Sequence, residues 1–272
     1  MSSNAAEPGS PAAPPDGVLA RRDGSALVLA IDRPHAGNSI DLPTARALGQ
    51  ALDRHAGACD LRSIIVTGAG GRFFCTGGDV KRYRAFDDAD GLNETFDAIR
   101  ALLGRIERLE LPVIAAIDGH ALGGGVELAL ACDLRIAGPQ ASLGLPQARM
   151  GIVPGWDGVE RLVRTVGRAT AMRVLLGGER HDAQAARALG LVDIACDSGS
   201  ALGAALDFCR ALDDKSRASI VEIKRLVTAC VDAPGEVRAM TREAFARLWF
   251  GADHREAQRA AAEKHSPRVA RD

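Results

Sequence analysis

Residues 112–132 constrain this chain more than any other stretch. An unbroken apolar run at 113–117 is followed by Asp118 and Gly119, then by Gly123, Gly124 and Gly125, and then by the small-residue run 126–132. Apolar runs of that length bounded by turn residues predict a buried strand, and the run after the glycines predicts a helix. Three glycines at a helix start let the backbone approach a ligand closely, and the first-turn N–H groups there have no intrahelical acceptor. Glu127 lies three residues beyond Gly124, about one turn on, so its carboxylate and the Gly124 N–H can face one spot. Alone, the same residues also read as a glycine-rich connection with a glutamate turned to solvent.

A second glycine turn follows a second strand. Residues 63–67 (Ser-Ile-Ile-Val-Thr) read as a β-branched strand, and the loop after them contains Gly68, Gly70, Gly71, Phe73, Phe74, Cys75, Thr76, Gly77, Gly78 and Asp79. A dinucleotide-binding fingerprint needs a glycine where Phe73 stands, so a Rossmann reading fails.

Around these two turns the order is strand 26–31 stopped by Pro34, helix 44–55, strand 63–67, helix 93–109, strand 113–117, helix 126–132 and strand 134–137. Alternation of this kind predicts an α/β core built from crossover units. Beyond Gly155 the pattern is helical: 159–166, 169–176, 183–189 closed by Gly190, 201–212, 219–231 and 236–250. Ile220, Ile223, Leu226, Val227 and Cys230 form an apolar stripe that reads as core, while the ending at Trp249 and Phe250 suits a surface that covers a neighbouring subunit. The expected division is a disordered tail at 1–16, rich in Pro, Ala and Ser, an α/β core at 17–200, and a helical oligomerisation region at 201–272.

Composition removes several classes of function. A net charge of −1 gives no basic footprint for nucleic acid. No apolar run approaches the roughly 18 residues of a membrane span, and the N-terminus lacks the apolar stretch of a signal peptide. The six cysteines form no C-x-x-C pair and no Cys/His cluster, which speaks against a metal site or a disulfide framework and for a reducing cytoplasm.

Taken together, Arg33, Pro34 and Asn38, the run 66–68 with 74–79, the run 117–129, Cys132 and Asp133, and the run 151–155 resemble the crotonase (enoyl-CoA hydratase/isomerase) superfamily. That resemblance implies a spiral of ββα units with a C-terminal helical region, a homotrimer or a hexamer made as a dimer of trimers, and an acyl-CoA thioester as substrate. It implies no cofactor beyond the coenzyme A carried by the substrate. Carried over residue by residue, it makes the backbone N–H groups of Thr76 and Gly124 an oxyanion hole. It places Thr76, Gly77, Gly78 and Asp79 along the CoA, and Gly123 of the second turn is also expected to bind substrate. Glu127 matches one of the two family carboxylates, and Gln147 stands where the other is expected.

Chemically, a thioester becomes an enolate whenever a proton, a nucleophile or a carboxylate is gained or lost at its α or β carbon. Two fixed N–H donors stabilise that enolate, each worth about 2.7–4 kcal/mol where one has been removed from such a site. Glu127 is the expected acid/base, since a carboxyl beside an apolar pocket has its pKa moved toward working pH. Gln147 can orient a water but cannot take its proton. Asp157 is either a substitute acid or the N-cap of the helix beginning there, and Trp156 packs against either the acyl chain or the core. Cys75 reads as a small buried residue, His120 as a turn or core residue or else a CoA contact, and Lys81, Arg82 and Arg84 as a solvated run or as contacts for CoA phosphates. The leading expectation is an enzyme that hydrates a 2-enoyl-CoA or shifts its double bond. A decarboxylase or hydrolase using the same oxyanion hole, and a non-catalytic acyl-CoA-binding subunit, remain open alternatives.

Overall fold

The structure, a computed structural model, describes residues 17–85, 89–233, 235–249 and 251–263. The tail expected at 1–16 lies outside the described residues. The first half contains β1 (Val18–Asp23), β2 (Ala26–Ile31), a 3₁₀ turn (Pro34–Ala36), α1 (Leu42–His55), β3 (Ser63–Gly68), β4 (Phe73–Cys75), α2 (Val80–Tyr83) and α3 (Ala89–Arg108). The centre contains β5 (Val113–Ile117), β6 (His120–Leu122), α4 (Gly124–Leu130), β7 (Leu134–Ala137), β8 (Ser142–Gly144) and a 3₁₀ turn (Pro146–Met150). The remainder is α5 (Gly158–Gly177), β9 (Arg180–Asp182), α6 (Ala183–Ala188), β10 (Ile194–Ala195), α7 (Ala201–Arg210), α8 (Arg217–Asp232), α9 (Val237–Trp249) and α10 (Ala252–Glu263).

Two sheets form. The larger runs β1-β2-β3-β5-β7-β10 and is parallel except for β1, and the smaller runs β4-β6-β8-β9 with only β9 antiparallel. The strand pairs β3–β4, β5–β6 and β7–β8 each send their first strand to the larger sheet and their second to the smaller, and a helix follows. This is the repeated ββα unit, and each passage between sheets produces a turn at the same end of the molecule.

The larger sheet is covered on both faces, which explains why its central strands are apolar without alternation. Leu27, Leu29, Ile64, Val66, Val113 and Ala115 pack toward α1 and α3, while Ala26, Val28, Ile65, Ile114 and Ile136 pack toward Ala201, Ala205 and Cys209 of α7. The boundary expected at residue 200 therefore falls inside the core. The carboxylate of Asp118, at the end of β5, accepts from the N–H groups of Ala201 (2.5 Å) and Leu202 (3.2 Å), so α7 begins where the sheet ends.

Two expected helices, 159–166 and 169–176, form the single element α5, kinked at Gly167, whose φ of 75° breaks the helical path. The α8 stripe also differs from expectation. Glu222 and Lys224 are buried, whereas Ile223 (61% exposed), Val227 (63%) and Val231 (60%) point outward. Inward charge is tolerated because Lys224 Nζ donates to Asp133 (2.7 Å) and to the Leu111 carbonyl (3.0 Å), while Glu222 pairs with Arg225 (2.8 Å) and Arg247 (2.6 Å).

Asn38 ties the first turn to the glycine loop. Fully buried and left-handed at φ 54°, it accepts from the Arg33 N–H (2.9 Å) through Oδ1 and donates through Nδ2 to the carbonyls of Ala69 (3.0 Å) and Phe73 (2.7 Å). Asn38→Ala leaves three backbone groups without partners, each costing about 1–3 kcal/mol when buried. Urea denaturation is expected to show a loss of about 3 kcal/mol or more, and a loss below about 1 kcal/mol contradicts this account.

Candidate active site

The two glycine turns meet. Gly123, at φ 55° and ψ −118°, turns the chain from β6 into α4. Gly125 then lies so close to the Cys75 carbonyl that any Cβ would overlap it. A Cβ at Gly77, whose φ is 90°, would lie 2.8 Å from the Gly124 nitrogen. Contact this close between two backbones is what glycine permits and any side chain prevents.

Which N–H groups stay available depends on a third segment. Residues 76–79 run beside 37–40: Thr76 N–H donates to the Gly37 carbonyl (3.1 Å), Ile40 N–H to Gly77 (2.8 Å) and Asp79 N–H to Ile40 (3.2 Å). Thr76, expected as an oxyanion donor, is thus already engaged. The Gly78 N–H, on the opposite edge of that pairing, has no acceptor among the described residues, and neither has the Gly124 N–H in the first turn of α4.

Glu127 is 2% exposed. Its Oε2 accepts from the N–H groups of Trp156 (2.8 Å) and Gly158 (3.0 Å), and its Oε1 from Gln147 Nε2 (3.3 Å). Burial raises its pKa above the ordinary carboxylate range, and the N–H groups of Trp156, Gly158 and Gly155 together with Arg161 offset part of that rise. Gln147 is buried beside it, and its Oε1 has no hydrogen-bond partner among the described residues. An acceptor left unsatisfied in this position invites a donor from a ligand or a water.

Asp157 does not join this pair. Its backbone is left-handed (φ 62°), which turns the N–H groups on both sides inward to Glu127 and its own side chain outward. The carboxylate is 52% exposed, approaches Arg100 Nε at 3.8 Å, and makes no capping bond to α5. Asp79 is engaged with Arg33 (2.9 Å) and caps α2 through the Arg82 N–H (3.3 Å). Arg82 also pairs with Asp41 (3.1 Å), and Lys81 and Arg84 are exposed. Cys75 is a buried thiol whose pKa burial pushes up to about 12, the state of an inert side chain rather than a nucleophile. His120 packs against Phe73 with the rings tilted and their centroids 5.7 Å apart.

Trp156 is buried, and its ring covers Gly124, where any Cβ would overlap Cζ3. Phe96 meets it edge-on at 6.5 Å between centroids, and Tyr83 packs on Phe96 at 5.4 Å. Neither Phe96 nor Tyr83 is legible as a site residue, since one belongs to a helical core stripe and the other ends a short charged helix. Arg161 is a second residue that the sequence hides. Buried in α5, it donates to the Trp156 carbonyl and pairs with Glu107 of α3 at 2.8 Å.

A family model described as enoyl-CoA hydratase/isomerase matches residues 21–270. Among relatives, the probable enoyl-CoA hydratase 2, mitochondrial, of Arabidopsis thaliana is 32% identical over 262 residues, covering 93% of this chain and 86% of its own length. Carnitinyl-CoA dehydratase of Proteus mirabilis (strain HI4320) is 34% identical over 258 residues, covering 90% and 94%. The crystal structure of an enoyl-CoA hydratase from Bacillus anthracis superposes with a TM-score of 0.90 at 29% identity, covering 94% of this chain and all of that one.

The raised pKa of Glu127 has a measurable sign. Between the ordinary glutamate pKa and the raised one, the folded chain holds a proton that the unfolded chain has released, so stability falls as pH rises through that window. Glu127→Gln can still accept both backbone hydrogen bonds and never ionises. Urea denaturation is expected to find this variant more stable than wild type at pH 8, with the difference shrinking toward pH 4. An equal difference at both values rules out a raised pKa.

Proposed function

Since the chain belongs to the enoyl-CoA hydratase/isomerase family, we propose that it acts on an acyl-CoA thioester whose carbonyl oxygen is held by the Gly78 and Gly124 N–H groups, with Glu127 as the proton-transferring group. The observation that carries this reading is a pair of unengaged backbone donors on two abutting glycine turns, one of them a helical turn before Glu127, a buried carboxyl with a raised pKa. As the α proton leaves for Glu127, negative charge moves onto the thioester oxygen, where two donors await it without reorganising. Thr76, Gly77, Gly78 and Asp79 border the thioester and its CoA on one side and Gly123 on the other.

With Gln147 unable to accept a proton, the reaction this site supports best is one in which a single group removes a proton and returns it. Shifting a double bond into or out of conjugation fits: Glu127 takes a proton from one carbon of the dienolate system and delivers it to another, and no atom is added. Hydration is the second reading, favoured by the partnerless Gln147 Oε1, which can hold a water by accepting one of its hydrogens.

Assembly and location belong to the same proposal. Outward Ile223, Val227 and Val231 on α8, with Phe245 (62% exposed) and Trp249 (44%) on α9, support a homotrimer or a dimer of trimers. All six cysteines are free thiols and, among the described residues, no helix is long and apolar enough to cross a membrane; a reducing cytoplasm suits both.

Incubation with a panel of acyl-CoA thioesters, enoyl and carboxyacyl, followed by mass measurement and location of the double bond, tests the chemistry. An unchanged mass with a moved double bond supports isomerisation, a gain of one water supports hydration, and loss of carbon dioxide or of free CoA overturns both in favour of decarboxylation or hydrolysis. Glu127→Gln is expected to lower kcat by at least ~10²-fold with a smaller change in KM. Gln147→Glu is expected to raise the hydration rate, and rapid hydration by the native chain removes the reason for preferring isomerisation. Sedimentation at micromolar concentration is expected to show a trimer or hexamer, and a stable monomer excludes that assembly.

A further inference from the structure

Trp156 stands at a place where its bulk has consequences for the substrate. Its ring lies over Gly124, with Cε3 2.7 Å from where a Cβ would be, and its own N–H bonds the Glu127 carboxylate. One residue therefore borders both groups that bracket the reacting carbons. The ring is closely packed: Trp156 is 2% exposed, and Phe96 meets it edge-on. Phe96 is held in turn against Gly155, where a Cβ would lie 3.0 Å from Cδ1, and against Tyr83, whose hydroxyl donates to the Ile40 carbonyl at 2.9 Å. Arg161 fixes the Trp156 carbonyl, so the backbone carrying the indole is anchored as well.

We propose that the Trp156 indole, backed by Phe96, is the end wall of the acyl site and limits the substrate to short acyl groups. The inference rests on the acyl-CoA reading above and goes beyond it by naming the acyl class. A chain extending past the carbons served by Glu127 meets the face of the indole instead of an open apolar groove. In an open groove each added methylene strengthens binding by about fourfold. Against a wall that gain disappears.

The chain has two tryptophans, so Trp249→Phe leaves Trp156 as the sole tryptophan reporter. In that background, tryptophan emission is followed during titration with butyryl-CoA, decanoyl-CoA and free CoA. Butyryl-CoA is expected to change Trp156 emission more than free CoA does, and decanoyl-CoA is expected to bind no tighter than butyryl-CoA. For binding to the Trp156→Ala chain, followed by calorimetry, the decanoyl/butyryl affinity ratio is expected to rise by at least about tenfold. Because removing a buried indole risks the fold, Trp156→Phe is measured alongside, with a smaller rise in the same direction. Decanoyl-CoA binding far tighter than butyryl-CoA in the parent overturns the wall, as does an unchanged ratio in both Trp156 variants. If no thioester binds any of these chains, the acyl-CoA reading itself fails and the wall falls with it; binding without chain-length discrimination overturns the wall alone.

Discussion

The contact on which the site depends is the one between the Glu127 carboxylate and the inward N–H groups at the start of α5. Taking a carboxyl out of water disfavours its ionised form, and donors aimed at it restore part of what burial removes. Here the donors are the backbone of Trp156 and Gly158, so the group is poised by main-chain geometry rather than by a cationic side chain in direct contact. Gly158 is required for the same reason: a Cβ there would come within 2.7 Å of the Glu127 carboxyl carbon. Arg161 of α5 ties this segment to α3, since it holds the Trp156 carbonyl and pairs with Glu107, and its charge lowers the Glu127 pKa.

The proposed oxyanion side of the site follows a different rule, resting on backbone N–H groups that no side-chain substitution deletes. Its positions are fixed by exclusion of side chains, at Gly77 against Gly124 and at Gly125 against the Cys75 carbonyl. Because these approaches are closer than any Cβ allows, the loop after β4 and the start of α4 cannot drift apart in sequence type without drifting apart in space. The aromatic face of Trp156 completes the enclosure over Gly124, which ties the donor side of the pocket to the acid/base side through one residue.

Much of this was readable beforehand, and the parts that were not have identifiable causes. The apolar stretches at 64–66 and 113–117 give central parallel strands because both faces of that sheet are covered. The three-residue strands β4, β6 and β8 are too short to carry a period, so the second sheet is invisible and the glycine turns appear as loops. The sequence points to Thr76 as the donor in the first glycine turn, but its N–H is spent on Gly37, a partner 39 positions away, while the Gly78 N–H has no acceptor among the described residues. Asp157 looks like a cap because of its residue type, yet a left-handed backbone sends its side chain outward. On α8 the apolar stripe was legible and its direction was not, because the inward positions are filled by Lys224 and Glu222, each with a partner distant in sequence.

Gln147 gives the site its particular character. Two buried carboxyls side by side raise one another's pKa, so that one of the pair stays protonated near neutral pH. A neutral amide removes that repulsion and leaves Glu127 to titrate alone against its backbone donors. The amide also suits both states of its neighbour: Nε2 donates to the ionised carboxylate, as at 3.3 Å here, and half a turn of the amide presents Oε1 to the protonated acid. A proton taken up by Glu127 can therefore be kept and returned with no second titratable group competing for it. That is the requirement of a reaction that moves one proton between two carbons. In hydration, by contrast, water must lose a proton while a carbon gains one, and Gln147 contributes to that only by position.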